Sequence, residues 1–213
     1  MSDLQPSITY DPIELLKRLD PANKLEPYYQ LLLEENKRVN LVSRETGGAR
    51  FMNKDIFTGL KKLAAQSLLP FEKTNIAEID NYLDIGSGGG FPAIPIILTR
   101  RIKQACLVER RKKKAGALRR MLLALDIKAT IIDQSFEETS FEPVLDLITL
   151  RLVKLTPKLF NRIFFLLRPG GYFVYYAAPD FGLTGKGADS VTFYHSTSSG
   201  EATGCFTIFH KKV

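Results

Sequence analysis

The feature that most constrains this sequence is a glycine-rich segment, Asp84-Ile85-Gly86-Ser87-Gly88-Gly89-Gly90-Phe91. The apolar residues before it predict the end of a buried strand, and residues 92–100 after it predict a helix. Glycine adopts positive φ at little cost and has no Cβ atom, so a small molecule can lie directly against the backbone of such a loop. The segment therefore predicts a strand, loop and helix unit that binds a small ligand.

After residue 81, short apolar runs alternate with helical stretches, which indicates βα units and a largely parallel sheet. Strands are predicted at residues 82–85, 105–108, 130–132, 145–150, 172–176, 191–194 and 205–209. Helices are predicted at residues 92–100, 112–125 and 156–167, and a turn at residues 168–171. The stretch 196–204 is too short for a helix, so the last two strands should form an antiparallel hairpin. This α/β layout resembles the Rossmann-like class I fold of S-adenosylmethionine-dependent methyltransferases, with its seven-stranded, mostly parallel sheet.

The first part of the chain shows a helical pattern of apolar residues between residues 10 and 70. Gly47-Gly48 marks a loop between two of these helices. The prolines that punctuate the pattern are Pro12, Pro21, Pro27 and Pro70. We therefore expect residues 1–75 to form an N-terminal helical extension that packs against the edge of a domain spanning residues 76–213.

The composition excludes several classes of protein. With 213 residues, 45% of them hydrophobic and 25% charged, the chain can bury a core without disulfides or metals. No run of about 18 apolar residues is present to span a bilayer, and the N-terminus lacks the basic start of a signal peptide. Cys106 and Cys205 stand far apart, without the spacing of a zinc site. We expect a cytoplasmic monomer without a metal.

Positive charge is concentrated in one segment. The net charge is +7, and an unbroken basic run consists of Arg110, Arg111, Lys112, Lys113 and Lys114. A surface of that charge density attracts polyanions, of which nucleic acid is the usual one. The alternative is a solvated helix surface that binds nothing.

Two acidic residues flank the predicted ligand loop. Asp84 precedes the first glycine, where it can accept a hydrogen bond from an ammonium group or a bridging water. Glu109 ends the second strand, where it can accept hydrogen bonds from two ribose hydroxyls. Alternatively, Glu109 is an exposed acid that pairs with a neighbouring cation. The predicted S-adenosylmethionine site includes Asp84, Gly86, Ser87, Gly88, Gly90, Phe91 and Glu109.

The residues after the third strand complete this predicted site. Ser135, Phe136 and Glu137 stand where such folds hold the adenine, and the Phe136 ring could cover it or belong to the core. A dinucleotide site is the competing interpretation of the glycine loop. Its GxGxxG motif places Phe91 at the third glycine, and only residues 88–93 satisfy the looser GxGxxA form. The methyl donor is therefore favoured over a dinucleotide.

Two longer motifs make a family resemblance specific. Residues 83–95, Leu-Asp-Ile-Gly-Ser-Gly-Gly-Gly-Phe-Pro-Ala-Ile-Pro, and residues 107–115, Leu-Val-Glu-Arg-Arg-Lys-Lys-Lys-Ala, closely resemble the RsmG family, also called glucose-inhibited division protein B. Residues 36–41 and 146–151 also match. The resemblance implies methylation of guanine N7 in small-subunit ribosomal RNA. It also implies S-adenosylmethionine as the donor and ribosomal RNA or the small ribosomal subunit as the partner.

Several positions depart from the family pattern. Residues 55–60, Asp-Ile-Phe-Thr-Gly-Leu, replace His-Ile-x-Asp-Ser-Leu, and residues 135–137 replace Arg-Ala-Glu. Arg151-Leu152 stands in place of Arg-Ala, and residues 175–179 lack the Lys-Gly pair that usually ends the fifth strand. These departures leave a noncatalytic or retargeted RNA-binding factor as an alternative. A nicotinamide oxidoreductase is a third hypothesis.

Methylation of guanine N7 needs no general base, because N7 carries a free lone pair. Proximity and alignment can therefore supply most of the catalysis. Arg151 is predicted to hold the target nucleotide by phosphate or guanine contacts, with an ion pair to Asp146 or Glu137 as the alternative. The basic run would position the RNA backbone, and Phe91 or Tyr28 could stack on the base or belong to the core.

Overall fold

The computed structural model describes residues 6–42, 55–74, 76, 78–180, 188–200 and 204–212. The strands are β1 (Ser7–Tyr10), β2 (Ile79–Ile85), β3 (Ile102–Val108), β4 (Thr130–Ile132), β5 (Leu145–Leu150), β6 (Leu167–Tyr175), β7 (Ala188–Thr197) and β8 (Gly204–Lys211). The α-helices are α1 (Pro12–Leu19), α2 (Leu25–Asn36), α3 (Asp55–Leu68), α4 (Ala93–Thr99), α5 (Lys112–Ala124) and α6 (Pro157–Leu166). Short 3₁₀ helices lie at Leu69–Glu72 and Phe136–Glu138.

One sheet contains all the described strands, in the order β1-β7-β8-β6-β5-β2-β3-β4. Strands β2 to β6 pair in parallel, and β8 runs antiparallel between β6 and β7. The predicted strands and the C-terminal hairpin are thereby confirmed. One strand was not predicted: β1 pairs in parallel with β7 at the edge, with Ser7 beside Tyr194 and Tyr10 beside Thr197.

Residues 168–171 differ from the predicted turn because they continue β6. The pairing of β6 with β5 shifts register between Leu145 and Leu147, which places these residues in an irregular part of the strand. A Cβ atom on Gly171 would lie 2.8 Å from the Leu145 carbonyl oxygen, so the close approach of the two strands requires glycine. The Arg168 guanidinium binds the carboxylate of Asp146 beside this irregularity.

Local capping signals determine where two of the helices begin. The Asp11 carboxylate accepts hydrogen bonds from the backbone N–H groups of Ile13 and Glu14 at 2.8 and 3.0 Å, and a proline opens α1. The Thr156 hydroxyl accepts from the Leu159 N–H at 3.2 Å, and a proline again follows the cap. Both arrangements satisfy backbone donors that the first helical turn leaves free.

The helices cover the two faces of the sheet unequally. Side chains alternate along β2, so Tyr82 and Leu83 point to opposite faces. Tyr82 packs in the core that contains apolar residues of α1 to α5, whereas Leu83 packs in a smaller core against α6. The N-terminal helices thus share a core with the sheet, and the predicted domain boundary at residue 75 stays a prediction. Gly47-Gly48 lies outside the described residues.

Candidate active site

The glycine loop connects the end of β2 to α4. Gly86, Gly88 and Gly90 have φ angles of +77°, +54° and +101°. A Cβ atom on Gly86 would lie 2.8 Å from Cγ2 of Val153, and one on Gly90 would lie 2.6 Å from Cδ1 of Ile94. Backbone conformation and space therefore both require glycine at these two positions.

Tyr28, on α2, contacts the glycine loop directly. The Tyr28 hydroxyl donates a hydrogen bond to the Gly89 carbonyl oxygen at 2.9 Å. The Phe91 ring meets the Tyr28 ring edge-on, with 5.2 Å between centroids. Tyr28 has no exposed surface, so it cannot stack on an RNA base, and its role is that of a core residue.

Glu109 is held directly against the loop. One carboxylate oxygen, Oε2, accepts the backbone N–H of Gly88 at 2.9 Å, and Oε1 accepts the N–H of Arg111 at 2.8 Å. The residue is buried, so the alternative of an exposed acid paired with a neighbouring cation is wrong. Each carboxylate oxygen keeps acceptor capacity for a further donor.

Asp84 is buried near the end of β2, two residues before Gly86, on the face of the strand that also carries Tyr82. Its Oδ1 accepts a hydrogen bond from the Thr149 hydroxyl at 2.5 Å, and Thr149 and the Tyr82 hydroxyl form another at 2.8 Å. Its Oδ2 is buried and has no hydrogen-bond partner among the described residues. Burial raises the pKa of the Asp84 carboxyl to about 6.

A cavity of about 640 Å³ opens beside the loop at the carboxyl ends of β2, β3 and β5. Its volume falls in the range of small-molecule sites, roughly 300–1,000 Å³. The predicted site residues that line it are Gly86, Ser87, Gly88, Phe91, Glu109, Arg110, Arg111, Lys114, Ser135, Phe136, Glu137 and Arg151. Asp84, Gly90, Lys112 and Lys113 do not line it.

The 3₁₀ helix Phe136–Glu138 forms one wall of the cavity. The Ser135 hydroxyl donates a hydrogen bond to the Glu137 carboxylate, which lowers the pKa of Glu137. Phe136 is buried; its ring stacks near Phe141 and lies 4.7 Å from the Arg162 guanidinium carbon. Phe136 is therefore mainly a core residue that presents a small surface to the cavity.

Arg151 leaves the end of β5 and enters the opposite side of the cavity. Its Nη2 donates to Oε1 of Gln66 on α3 at 3.1 Å, and the guanidinium carbon lies 5.9 Å from the Tyr176 ring centroid. Its Nη1 is buried without a hydrogen-bond partner in the described ranges. The alternative of an ion pair with Asp146 is wrong, because that carboxylate binds Arg168 and two backbone N–H groups.

Residues 21–180 match the protein family described as rRNA small subunit methyltransferase G. The chain belongs to this family. A relative from Acidiphilium cryptum, ribosomal RNA small subunit methyltransferase G, is 31% identical over 183 residues, which cover 85% of this chain and 76% of that protein. The protein of the same name from Helicobacter pylori strain J99 is 33% identical over 153 residues, or 71% of this chain and 79% of that protein.

Solved structures confirm the predicted class I fold. An O-methyltransferase from Bacillus cereus in complex with SAH superimposes with a TM-score of 0.66 at 15% identity, covering 95% of this chain and 98% of that chain. An rRNA methylase from Streptococcus thermophilus gives a TM-score of 0.52 at 16% identity, covering 63% and 87%. Membership of the methyltransferase G family makes the chain an S-adenosylmethionine-dependent methyltransferase, as the sequence predicted.

The basic run of this family member begins at the cavity and continues along α5. Arg110 to Lys113 are exposed and Lys114 is half-buried. None of these five side chains forms a salt bridge with a residue that the structure describes, whereas Arg119 and Arg120 on the same helix pair with Asp133 and Glu35. The run is therefore free to bind an external anion.

Several cavity residues were missed from the sequence. Among them are Leu41, Val42, Leu63, Leu152, Val153 and Lys154. Leu41, Val42 and Leu63 come from the N-terminal part of the chain. The apolar pattern of that part indicates that such side chains are buried, but it does not indicate that they line a cavity. The described ranges contain no cluster of His, Cys, Asp or Glu side chains suited to a metal ion, and no helix within them is long and apolar enough to cross a membrane.

Proposed function

We propose that this protein transfers a methyl group from S-adenosylmethionine to guanine N7 in small-subunit ribosomal RNA. The observation that carries the proposal is the cavity in which the glycine loop, the Glu109 carboxylate and the Arg151 guanidinium meet. The first two groups suit a nucleoside donor, and the third suits a nucleic-acid acceptor. The Mycoplasmopsis pulmonis and Helicobacter relatives carry the same ribosomal RNA methyltransferase name.

The chain fits the donor at the loop. Side-chain-free Gly88 lets the donor approach the backbone, and Glu109 is oriented by two N–H groups so that it can accept the ribose hydroxyls. Ser135, Phe136 and Glu137 would border the adenine. When bound, the donor supplies an electrophilic methyl group on a positively charged sulfur.

The loop offers fewer backbone donors than its sequence suggests. The N–H groups of Gly86 and Ser87 bind the Val108 carbonyl oxygen at 2.8 and 3.1 Å, and Gly90 binds the Ser87 carbonyl oxygen at 2.7 Å. These contacts fix the loop rather than a ligand. Shape and the Glu109 carboxylate therefore contribute more to donor binding than loop amides do.

Arg151 would hold the acceptor. Its guanidinium lines the cavity, so a phosphate or a guanine carbonyl oxygen that enters the cavity could pair with its charge. Because N7 loses no proton before attack, the residues need only hold the base in line with the methyl group. The free basic run from Arg110 to Lys114 would bind the flanking RNA backbone, and ribosomal RNA as substrate implies action in the cytoplasm.

Small ribosomal subunits purified from a strain that lacks the gene test this function. Incubation with the protein and methyl-labelled S-adenosylmethionine should place one label on the RNA, and cleavage at 7-methylguanosine should map it. Calorimetry with S-adenosylhomocysteine tests donor binding separately. Donor binding without methyl transfer to RNA would instead support a noncatalytic RNA-binding factor. Preference for a dinucleotide over S-adenosylhomocysteine would support an oxidoreductase.

A further inference from the structure

Leu152 combines full exposure with an unfavourable backbone conformation at the mouth of the cavity. It follows β5 directly, lines the cavity and is 95% exposed. Its φ angle is +57°, a region that branched apolar residues avoid. The other non-glycine residues with positive φ in the described ranges are Asn23 and Asp126, whose short polar side chains tolerate this conformation.

The residues on both sides hold Leu152 in this position. Arg151 is bound to Gln66, and Val153 packs so closely on Gly86 that a Cβ atom there would lie 2.8 Å from Cγ2 of Val153. Leu155 is buried, and its N–H donates to the Tyr175 hydroxyl at 3.5 Å. An unfavourable conformation persists when its surroundings impose it, and such residues cluster at functional sites.

The surroundings of Leu152 indicate the chemistry of its partner. Arg151, Arg111, Lys114 and Lys154 line the same cavity, so the surface around the leucine is cationic. Lys154 is the only one of the four with a salt bridge in the described ranges, to exposed Asp180 at 3.1 Å. An exposed leucine surrounded by cationic side chains suits a polyanion that also has apolar surface. Nucleic acid has both, because its phosphates carry negative charge and its stacked bases are apolar.

We propose that Leu152 is a wedge that enters the RNA base stack and occupies the space left when the target base turns into the cavity. The proposal rests on the proposed function. An enzyme that acts on a base within structured RNA must take that base out of its stack. Apolar side chains inserted between base steps are a known means of unstacking nucleic acid. The contacts of Arg151 and Val153 hold the backbone on both sides of the leucine, so its side chain is exposed before RNA arrives.

Leu152→Asn tests the wedge without disturbing the fold. Asparagine is similar in size and tolerates positive φ, so the melting temperature should stay equal or rise. Methyl transfer to small ribosomal subunits should fall about tenfold or more, because the apolar insertion is lost. Transfer to a short unstructured oligonucleotide that copies the mapped site should fall much less than transfer to the subunits, because no base stack has to be opened there.

Two further variants serve as controls. Leu152→Met keeps an apolar side chain and should retain transfer to the subunits. Leu123→Gln removes an 83% exposed leucine on α5 outside the cavity and should leave transfer at the wild-type rate. Unchanged transfer by Leu152→Asn, or an equal loss on both RNAs, would overturn the wedge. Wild-type protein that methylates neither RNA would overturn the proposed function itself, a result that differs from both.

Discussion

Asp84 is a buried carboxylate with one oxygen left without a partner among the described residues, and its replacement by asparagine should change how stability depends on pH. The substitution Asp84→Asn removes one ionisable carboxyl group and keeps the size of the side chain. The Thr149 hydroxyl can still donate to the amide oxygen of asparagine. Any change in stability that depends on pH therefore reports the charge of Asp84 alone.

The magnitude follows from the pKa. Burial raises the pKa of Asp84 from its ordinary 3.8 to about 6, and each pKa unit corresponds to about 1.4 kcal/mol, so the full effect is about 3 kcal/mol. The folded state binds the proton more tightly than the unfolded state does. Asp84 therefore makes the protein less stable as pH rises from about 4 to about 6, and the loss is complete above that range.

Urea unfolding followed by far-ultraviolet circular dichroism measures this difference. Between about pH 4.5 and pH 8, the free energy of unfolding of Asp84→Asn minus that of the wild type should rise by about 2 kcal/mol. Asp126→Asn is the matched control, since Asp126 is exposed and its positive φ suits asparagine. Its difference from the wild type should stay nearly constant over the same range.

Contributions from other titrating groups cancel in this difference. A difference that stays flat for Asp84→Asn would show that the carboxyl is not charged and buried in the folded protein. A difference that falls with increasing pH would show that a cation stabilises the charged form. Either result would refute the reasoning from burial.

Three further substitutions, and a control for the third, have defined outcomes. Glu109→Ala should weaken S-adenosylhomocysteine binding about tenfold or more in calorimetry, because the ribose acceptor and the Gly88 anchor are both lost, and unchanged affinity would contradict this role. Burial lowers the pKa of His195, so stability should fall as pH drops below about 6.5, and urea titrations should show a smaller fall in His195→Phe. Gly204→Ala should lower the free energy of unfolding by about 1–3 kcal/mol in urea, because its Cβ atom would lie 2.8 Å from the His195 ring. Gly116→Ala, in a helix with its nearest contact at 3.6 Å, should not destabilise.

The parts of the fold that the sequence predicted have local signals. Each strand from β2 to β8 contains a short apolar run, and the glycine loop fixes where one strand ends and a helix begins. Strand β1 escaped prediction because Ser7–Tyr10 is short and its partner, β7, lies near the other end of the chain. The irregular pairing at residues 168–171 depends on contacts with β5, which a glycine pair in the sequence does not reveal.

The sequence also predicted the positions of some residues of the candidate site but not of others. Glu109 and the loop glycines meet as expected because parallel strands end at the same edge of the sheet. The burial of Asp84 depends on helices packed from the N-terminal part of the chain, so its position below the cavity could not be predicted. Likewise, the partner of Arg151 is Gln66 rather than an acid, and an uncharged residue on a distant helix gives no pairing signal in the sequence.

The hydrogen bond from Tyr28 to Gly89 also bears on how the chain can be shortened. A protein that starts at residue 76 would keep β2 to β8 but would lose the hydroxyl that holds the loop carbonyl. It would also lose Leu41, which packs so closely on the loop that a Cβ atom on Gly89 would lie 3.2 Å from it. The glycine loop of such a truncated protein would lack both of these supports. The support of the glycine loop therefore comes from both parts of the chain.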